Sequence, residues 1–173
     1  ENPSERVRSL LIYKPRRRGA GAVAKVRDPV EVSAMAGAAF GDPEDETTFL
    51  GPLIGEAEAE RIDEWVDSAC RAGAHLLCGG RRDGALMEAT VLEDVPSHER
   101  LRREEVFGPV VVLSRFRDFD EALREANDTS YGINAGVFTR DLYKAQRAWD
   151  ALEVGTVIIG DVPAWRADHM PYG

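Results

Sequence analysis

Apolar positions in the second half of the chain recur at two spacings, which predict alternating helices and strands. Spacings of three and four residues mark one face of a helix, whereas short continuous runs mark buried strands. The first stripe ends at Gly73, a residue suited to cap a helix, and the second follows the capping-box pair Asp118 and Glu121. The residues predicted to face the core are Ile62, Trp65, Val66, Ala69 and Cys70 in the first stripe, Phe119, Ala122, Leu123 and Ala126 in the second, and Leu142, Ala145, Trp149 and Leu152 in the third.

Apolar runs between these stripes predict the strands of a sheet. The predicted strands are 76–78, 86–92, 110–116, 135–138 and 156–159, and a charged helical turn is predicted over 100–106. Strands that alternate with helices of about a dozen residues are typical of α/β domains. The predicted fold class is therefore α/β, with a layered, largely parallel sheet and flanking helices.

The start of the chain has a less regular pattern. A strand is predicted over 7–13 and a helix over 28–40. Between them, a proline, two glycines and three arginines in 15–21 break any regular period. We therefore divide the chain into a divergent N-terminal segment, 1–40, and a main body, 41–173, within a single domain overall.

Charge and composition narrow the possible partners. A net charge of −9 and a pI near 4.9 disfavour nucleic acid and anionic membranes as partners. The one basic cluster, 14–18, is interpreted as a solvated loop, with a phosphate- or nucleic-acid-binding arm as the alternative. No apolar run approaches the roughly 20 residues that span a bilayer, and no signal peptide is recognised. Cys70 and Cys78, without metal-ligand partners at useful spacing, predict a reduced cytoplasmic protein with no metal site.

The stretch 103–110 is the main candidate for chemistry. Glu105 stands two residues before Phe107, and Gly108-Pro109 changes the direction of the chain before an apolar run. This arrangement offers a ribose two acceptor oxygens and places a flat apolar face beside a nicotinamide. The alternative is a helix end with a solvated glutamate and a phenylalanine in the core.

The tail, 161–173, differs from the regular body that precedes it. It combines prolines, aromatic rings and charged residues directly after a strand, where open α/β sheets place their ligands. A substrate-pocket loop and an ordered surface loop are the two interpretations.

Several short stretches occur in one order along the chain. They are Gly51-Pro52-Leu53-Ile54, Gly73-Ala74 with Gly79-Gly80, Glu104 to Pro109, Ala126-Asn127 with Tyr131-Gly132, Val137 to Asp141, and Met170-Pro171-Tyr172-Gly173. Together they resemble the aldehyde dehydrogenase superfamily, over roughly 41–173. The tail resembles the lactaldehyde and succinate-semialdehyde dehydrogenase-like members.

The resemblance implies an enzyme that oxidises small aldehydes to carboxylic acids with NAD or NADP and forms a homo-oligomer. It implies that Glu105 and Phe107 bind the nicotinamide ribose end of the cofactor. It also implies that Tyr172 lines the substrate channel, with Trp165 and Arg166 in the loop beside it. Arg166 and His169 are candidates to pair with a substrate carboxylate; the alternative, which we favour, is that Arg166 pairs with Asp161 or Asp168.

The departures from the family pattern concern the reacting groups. The family's nucleophilic cysteine would fall near Glu5, where this sequence has none, and its general base, oxyanion asparagine and dinucleotide domain would precede residue 1. Cys70 and Cys78 are interpreted as packing thiols, so no catalytic residue is predicted. We therefore expect a fragment that is inactive alone. The alternatives are a truncated or remnant module that self-associates and binds nucleotide, and an unrelated α/β binding protein.

Overall fold

A five-stranded sheet and a parallel strand pair organise the part of the chain that can be described. The computed structural model describes residues 10–13, 22–25, 39–161, 163 and 169. The strands of the large sheet are β1 (Leu10–Tyr13), β2 (Ala22–Lys25), β3 (His75–Cys78), β6 (Thr90–Glu93) and β7 (Val110–Leu113). They lie in the order β1-β2-β7-β6-β3.

Parallel pairing occupies the centre of this sheet. Strand β7 lies parallel to both β2 and β6, while the outer pairs, β1–β2 and β6–β3, are antiparallel. The second pair, β8 (Asn134–Val137) with β9 (Thr156–Ile159), is also parallel, and β4 (Arg82–Asp83) forms a hairpin with β5 (Leu86–Met87). The predicted α/β class is confirmed.

Helix α1 (Glu56–Arg71) covers the large sheet with the face that the sequence predicts. Ile62, Trp65, Val66 and Ala69 are buried. The helix ends in a Schellman motif, because the Ala74 N–H donates to the Ala69 carbonyl and the Gly73 N–H to that of Cys70. Gly73 adopts a φ of +108°, so the predicted cap is confirmed. The core beneath α1 also contains Met87, Leu92, Val95, Leu101, Val106, Val110 and Val112.

Two further helices, α3 (Phe119–Asn127) and α4 (Leu142–Ala151), form a second core with β8 and β9. Asp118 caps α3 by accepting the Glu121 N–H at 2.8 Å, so the predicted Asp118–Glu121 cap is confirmed. Asp141 caps α4 by accepting the N–H groups of Tyr143 and Lys144. At the other end, the Asn127 side chain donates to the Ala151 carbonyl and accepts the Glu153 N–H, which ties the two helices together.

The burial predicted for α4 is wrong. Leu142 is 80% exposed and Trp149 is 64% exposed, whereas Ala148 is fully buried. The small side chain of Ala148 packs in the second core, whereas Leu142 and Trp149 lie outside that contact. Leu152, just after the helix, is buried as predicted.

Some predicted elements are interrupted or shorter in the structure. The single strand over 86–92 is two strands, β5 and β6, because Glu88 and Ala89 belong to neither and the two strands pair in different sheets. The turn over 100–106 is helical only in α2 (Arg100–Arg103), and the strand over 110–116 ends at Leu113. Strand β9 forms as predicted but is only partly buried. The helix predicted over 28–40 lies largely outside the described residues.

Candidate cofactor-binding site

The loop 104–109 connects α2 to β7 and carries both predicted cofactor contacts. Glu104 ends α2 in an extended conformation. Its carboxylate accepts two hydrogen bonds from the Arg100 guanidinium, at 2.8 and 3.2 Å, and these bonds hold the pKa of Glu104 below its usual value. Glu105 follows, with a half-buried side chain.

The backbone of this loop is fixed by contacts on both sides. Val106 is buried, and its carbonyl accepts a 2.8 Å hydrogen bond from Arg61 Nη2. At the other end, the Pro109 carbonyl accepts the Thr90 N–H, also at 2.8 Å. Gly108 lies so close to α1 that an added Cβ would be 2.5 Å from Ile62 Cδ1. The loop therefore has little freedom to move.

Phe107 has an unfavourable backbone conformation, and its side chain is partly exposed to solvent. Its φ is +56°, a region that costs a non-glycine residue about 1–2 kcal/mol, and it is 45% exposed. The buried neighbour Val106 and the packed Gly108 impose this geometry. A rigid loop thus presents an aromatic ring to solvent two residues after a carboxylate.

The side chains that support the loop were not predicted from the sequence. Trp65 of α1 is nearly buried between two guanidinium groups, those of Arg61 and Arg100, each 4.4 Å from the ring centroid. Arg61 bonds the loop directly, and Arg100 holds Glu104. The spacing of Arg61 and Trp65 by four residues was the available signal for their contact.

Neither thiol has the environment of an activated nucleophile. Burial raises the pKa of Cys70, with a further contribution from the nearby Asp67 carboxylate. Burial also raises the pKa of Cys78, whose Sγ lies 3.9 Å from the Ala89 carbonyl oxygen. Activated cysteines need a lowered pKa, so these positions favour the packing role.

The substrate-side prediction falls mostly beyond what the structure describes. Trp165, Arg166 and Tyr172 lie outside the described residues. Pro163, which precedes them, is buried, and its carbonyl accepts a 3.1 Å hydrogen bond from Asn134 Nδ2 of β8. The beginning of the tail therefore packs against the pair formed by β8 and β9.

None of the helices in the described part of the chain combines the length and the apolar character of a membrane span.

The comparison with protein families finds a match over most of the chain. Residues 29–173 match the aldehyde dehydrogenase family. Because this match covers most of the chain, the chain belongs to that family, as the sequence motifs predicted.

Individual relatives agree with this assignment. The chain is 46% identical over 133 residues to 3-sulfolactaldehyde dehydrogenase of Priestia aryabhattai. This alignment covers 77% of this chain and 28% of the relative. It is 39% identical over 134 residues to lactaldehyde dehydrogenase of Methanococcus aeolicus, covering 78% of this chain and 29% of the relative. The chain thus spans less than a third of the length of these relatives.

Solved structures show the same fold. Aldehyde dehydrogenase 21 of Physcomitrella patens, in complex with the reaction product succinate, aligns with a TM-score of 0.80 and 49% identity, over 82% of this chain and 30% of that one. Glyceraldehyde-3-phosphate dehydrogenase GapN of Methanocaldococcus jannaschii, complexed with NADP, aligns with a TM-score of 0.78 and 37% identity, over 83% and 31%. The fold is that of part of an aldehyde dehydrogenase.

Proposed function

We propose that this chain supplies the nicotinamide-ribose contact of an NAD(P)-dependent aldehyde dehydrogenase that oxidises small aldehydes to carboxylic acids. The observation that carries the proposal is Phe107, an exposed ring held at positive φ by a rigid loop beside Glu105. Strained residues of this kind cluster at ligand-binding sites. The cofactor, NAD or NADP, supplies the hydride acceptor when bound.

In this proposal each residue has a defined task. The Glu105 carboxylate accepts hydrogen bonds from the ribose hydroxyls, and the Phe107 ring packs against the same end of the cofactor. Arg61 and Gly108 position the loop without touching the cofactor. Because the loop is already ordered, little conformational entropy is lost on binding.

For the substrate we propose Trp165, Arg166 and Tyr172 as the contacts. Several relatives are named for small aldehydes that carry an anionic group, among them 3-sulfolactaldehyde and aspartate semialdehyde dehydrogenases. An arginine suits a carboxylate or sulfonate on such a substrate. A structural pair of Arg166 with Asp161 or Asp168 stays the alternative.

We further propose that the 173-residue chain does not turn over aldehydes by itself. Support comes from the raised pKa of both thiols, which leaves them protonated at neutral pH. Incubation with short aldehydes and either NAD or NADP should yield no reduced cofactor, and measurable turnover would contradict the proposed inactivity.

Two free cysteines and an acidic net charge support a cytoplasmic location.

Binding of half-cofactors tests the proposed ribose contact. Nicotinamide mononucleotide should bind the purified chain in NMR titrations, whereas adenosine monophosphate should not. Glu105→Gln should weaken binding about tenfold, the loss expected when a charged hydrogen bond of about 1.5 kcal/mol is removed. Phe107→Leu should also weaken binding, because the ring that packs against the cofactor is lost. Glu104→Gln is the matched control, because Arg100 already occupies the Glu104 carboxylate. Equal binding of the two nucleotides, or no effect of Glu105→Gln, would refute the proposal.

The second candidate is a non-catalytic module that self-associates, and the exposed face of α4 favours it. Leu142, Tyr143 and Trp149 are all more than half exposed, and apolar patches of this kind mark association sites. Sedimentation velocity should then show an oligomer that Leu142→Ser and Trp149→Ser together dissociate. A monomer at high protein concentration would exclude this candidate.

A further inference from the structure

A histidine and two carboxylates converge at the edge of the five-stranded sheet, at the opposite end of β6 from the loop 104–109. His75 begins β3, the edge strand, and Glu93 ends β6 as its direct partner in the antiparallel register. Asp94 follows immediately, with a φ of +56°. One ligand atom from each residue lies within 4.8 Å of those of the other two.

The distances in this cluster are too long for hydrogen bonds but suit ligands of one ion. His75 Nδ1 lies 3.9 Å from Glu93 Oε1 and 3.7 Å from Asp94 Oδ2. Hydrogen bonds between such groups are shorter than about 3.2 Å. Two ligand atoms bound at about 2.1 Å to one tetrahedral ion lie about 3.4 Å from each other, a few tenths of an ångström less than these two distances. The three groups thus form a compact cluster in which the imidazole lies at ion-pair distance from both carboxylates without a hydrogen bond to either.

A second contact orients the Glu93 carboxylate. Its other oxygen, Oε2, accepts a 2.7 Å hydrogen bond from Arg115 Nη2, which leaves Oε1 facing His75. Partners that orient a ligand in this way are typical of metal sites. The two carboxylates carry two negative charges and the Arg115 guanidinium one positive charge, so the cluster has a net charge of −1 when His75 is neutral.

We propose that His75, Glu93 and Asp94 bind a divalent transition-metal ion such as Zn²⁺. One imidazole nitrogen with carboxylate oxygens is a donor set that borderline metals accept, and water completes the coordination. The ion joins β3 to the end of β6, so it fastens the edge strand to the sheet. This site is separate from the proposed cofactor contact, and the proposal departs from the sequence-based expectation that the chain has no metal site.

Zn²⁺ titration by calorimetry tests the site in the purified chain. The unsubstituted chain should bind one Zn²⁺ there, and His75→Gln and Asp94→Asn should each weaken that binding by at least about tenfold. His98→Gln is the matched control, because His98 Nε2 faces a single carboxylate, that of Glu99, at 3.4 Å. It should leave the binding unchanged, as should Cys70→Ser with Cys78→Ser.

A second measurement keeps the test independent of any loss of folding. Zn²⁺ should raise the urea midpoint of the unsubstituted chain and of His98→Gln, but not that of His75→Gln, since only a folded site stabilises by binding. The proposal is overturned if no Zn²⁺ binds, if His75→Gln binds like the unsubstituted chain, or if the cysteine variants abolish binding. Those outcomes would leave the cluster as an ion-pairing group only, or place the ion elsewhere.

Discussion

Arg61 Nη2 lies 2.8 Å from the carbonyl oxygen of Val106, and this hydrogen bond joins helix α1 to the loop that carries Glu105 and Phe107. The same guanidinium lies over the Trp65 ring. A single side chain therefore links the packing of the core to the placement of the proposed cofactor contacts. The proposed binding function and the stability of the fold are coupled at this point.

Replacing Arg61 by methionine should weaken both properties. Methionine retains the aliphatic stem but cannot bond the Val106 carbonyl, so we expect a loss of about 1–2 kcal/mol in the free energy of unfolding. Urea denaturation measures this loss, and titration with nicotinamide mononucleotide should show weaker binding. Arg71→Met is the control, because Arg71 is an exposed residue at the end of α1. A variant with unchanged binding would show that the bond does not position the loop.

Gly108→Ala should destabilise the protein through one identifiable clash. The new Cβ would lie 2.5 Å from Cδ1 of the fully buried Ile62, and such overpacking costs about 1–3 kcal/mol. Ile62→Val removes Cδ1, so the double variant should lose less than the sum of the two single losses. Gly55→Ala, which meets no atom within 4 Å, is the control. Additive losses in urea denaturation would contradict the assigned clash.

The Arg100–Glu104 pair should make a pH-dependent contribution to stability. The pKa of Glu104 is lower in the folded protein than the value of about 4.3 for an unfolded chain, so its contribution is present above that pH and lost on acidification through the folded pKa. Glu104→Gln should cost about 0.3–0.5 kcal/mol at pH 7, a small value because the pair is exposed, and nothing at pH 2–3. Urea denaturation across this range, with Glu64→Gln as control, checks it. A loss that persists at low pH would be inconsistent with the ion pair.

Substitutions in α4 should separate exposed from buried positions. Leu142→Ser and Trp149→Ser should each change the free energy of unfolding by less than about 0.5 kcal/mol, because both side chains are largely exposed. Ala148→Val should cost about 1–3 kcal/mol, because the buried alanine leaves no room for two methyl groups. Chemical denaturation of monomeric samples measures both. The opposite order would restore the burial pattern predicted from sequence.

The fold could be predicted from sequence wherever one helical face carries all the large apolar side chains. The stripe of α1 has this property, so its core face was identified correctly. In α4 the spacing of Leu142 and Trp149 is equally helical, but periodicity does not reveal which face a neighbour covers. There the close approach of Ala148 to the second core decides burial, and this depends on residues distant in sequence.

The interruption of the predicted strand over 86–92 has a similar origin. The Thr90 hydroxyl donates to the Glu88 carbonyl and accepts the Gly80 N–H, while the Glu88 carboxylate pairs with Arg81. These bonds lie at the break between β5 and β6, although the apolar pattern continues through it. For the candidate site, the Glu105–Phe107 pair was visible as a motif, but the fixed backbone was not, because Arg61 lies 45 positions from Val106.

The strand order of the large sheet implies a sequence of folding events. The paired residues of β6 and β7 are 20 positions apart in sequence (Thr90 with Val110), whereas those of β2 and β7 are 89 positions apart (Ala22 with Val111). Closing the longer loop costs about 1.3 kcal/mol more in chain entropy. We therefore expect α1, β6 and β7 to assemble first and the hairpin of β1 and β2 to dock last. Until then β7 has an unpaired edge, which makes the nascent chain most vulnerable to aggregation at the centre of its own sheet.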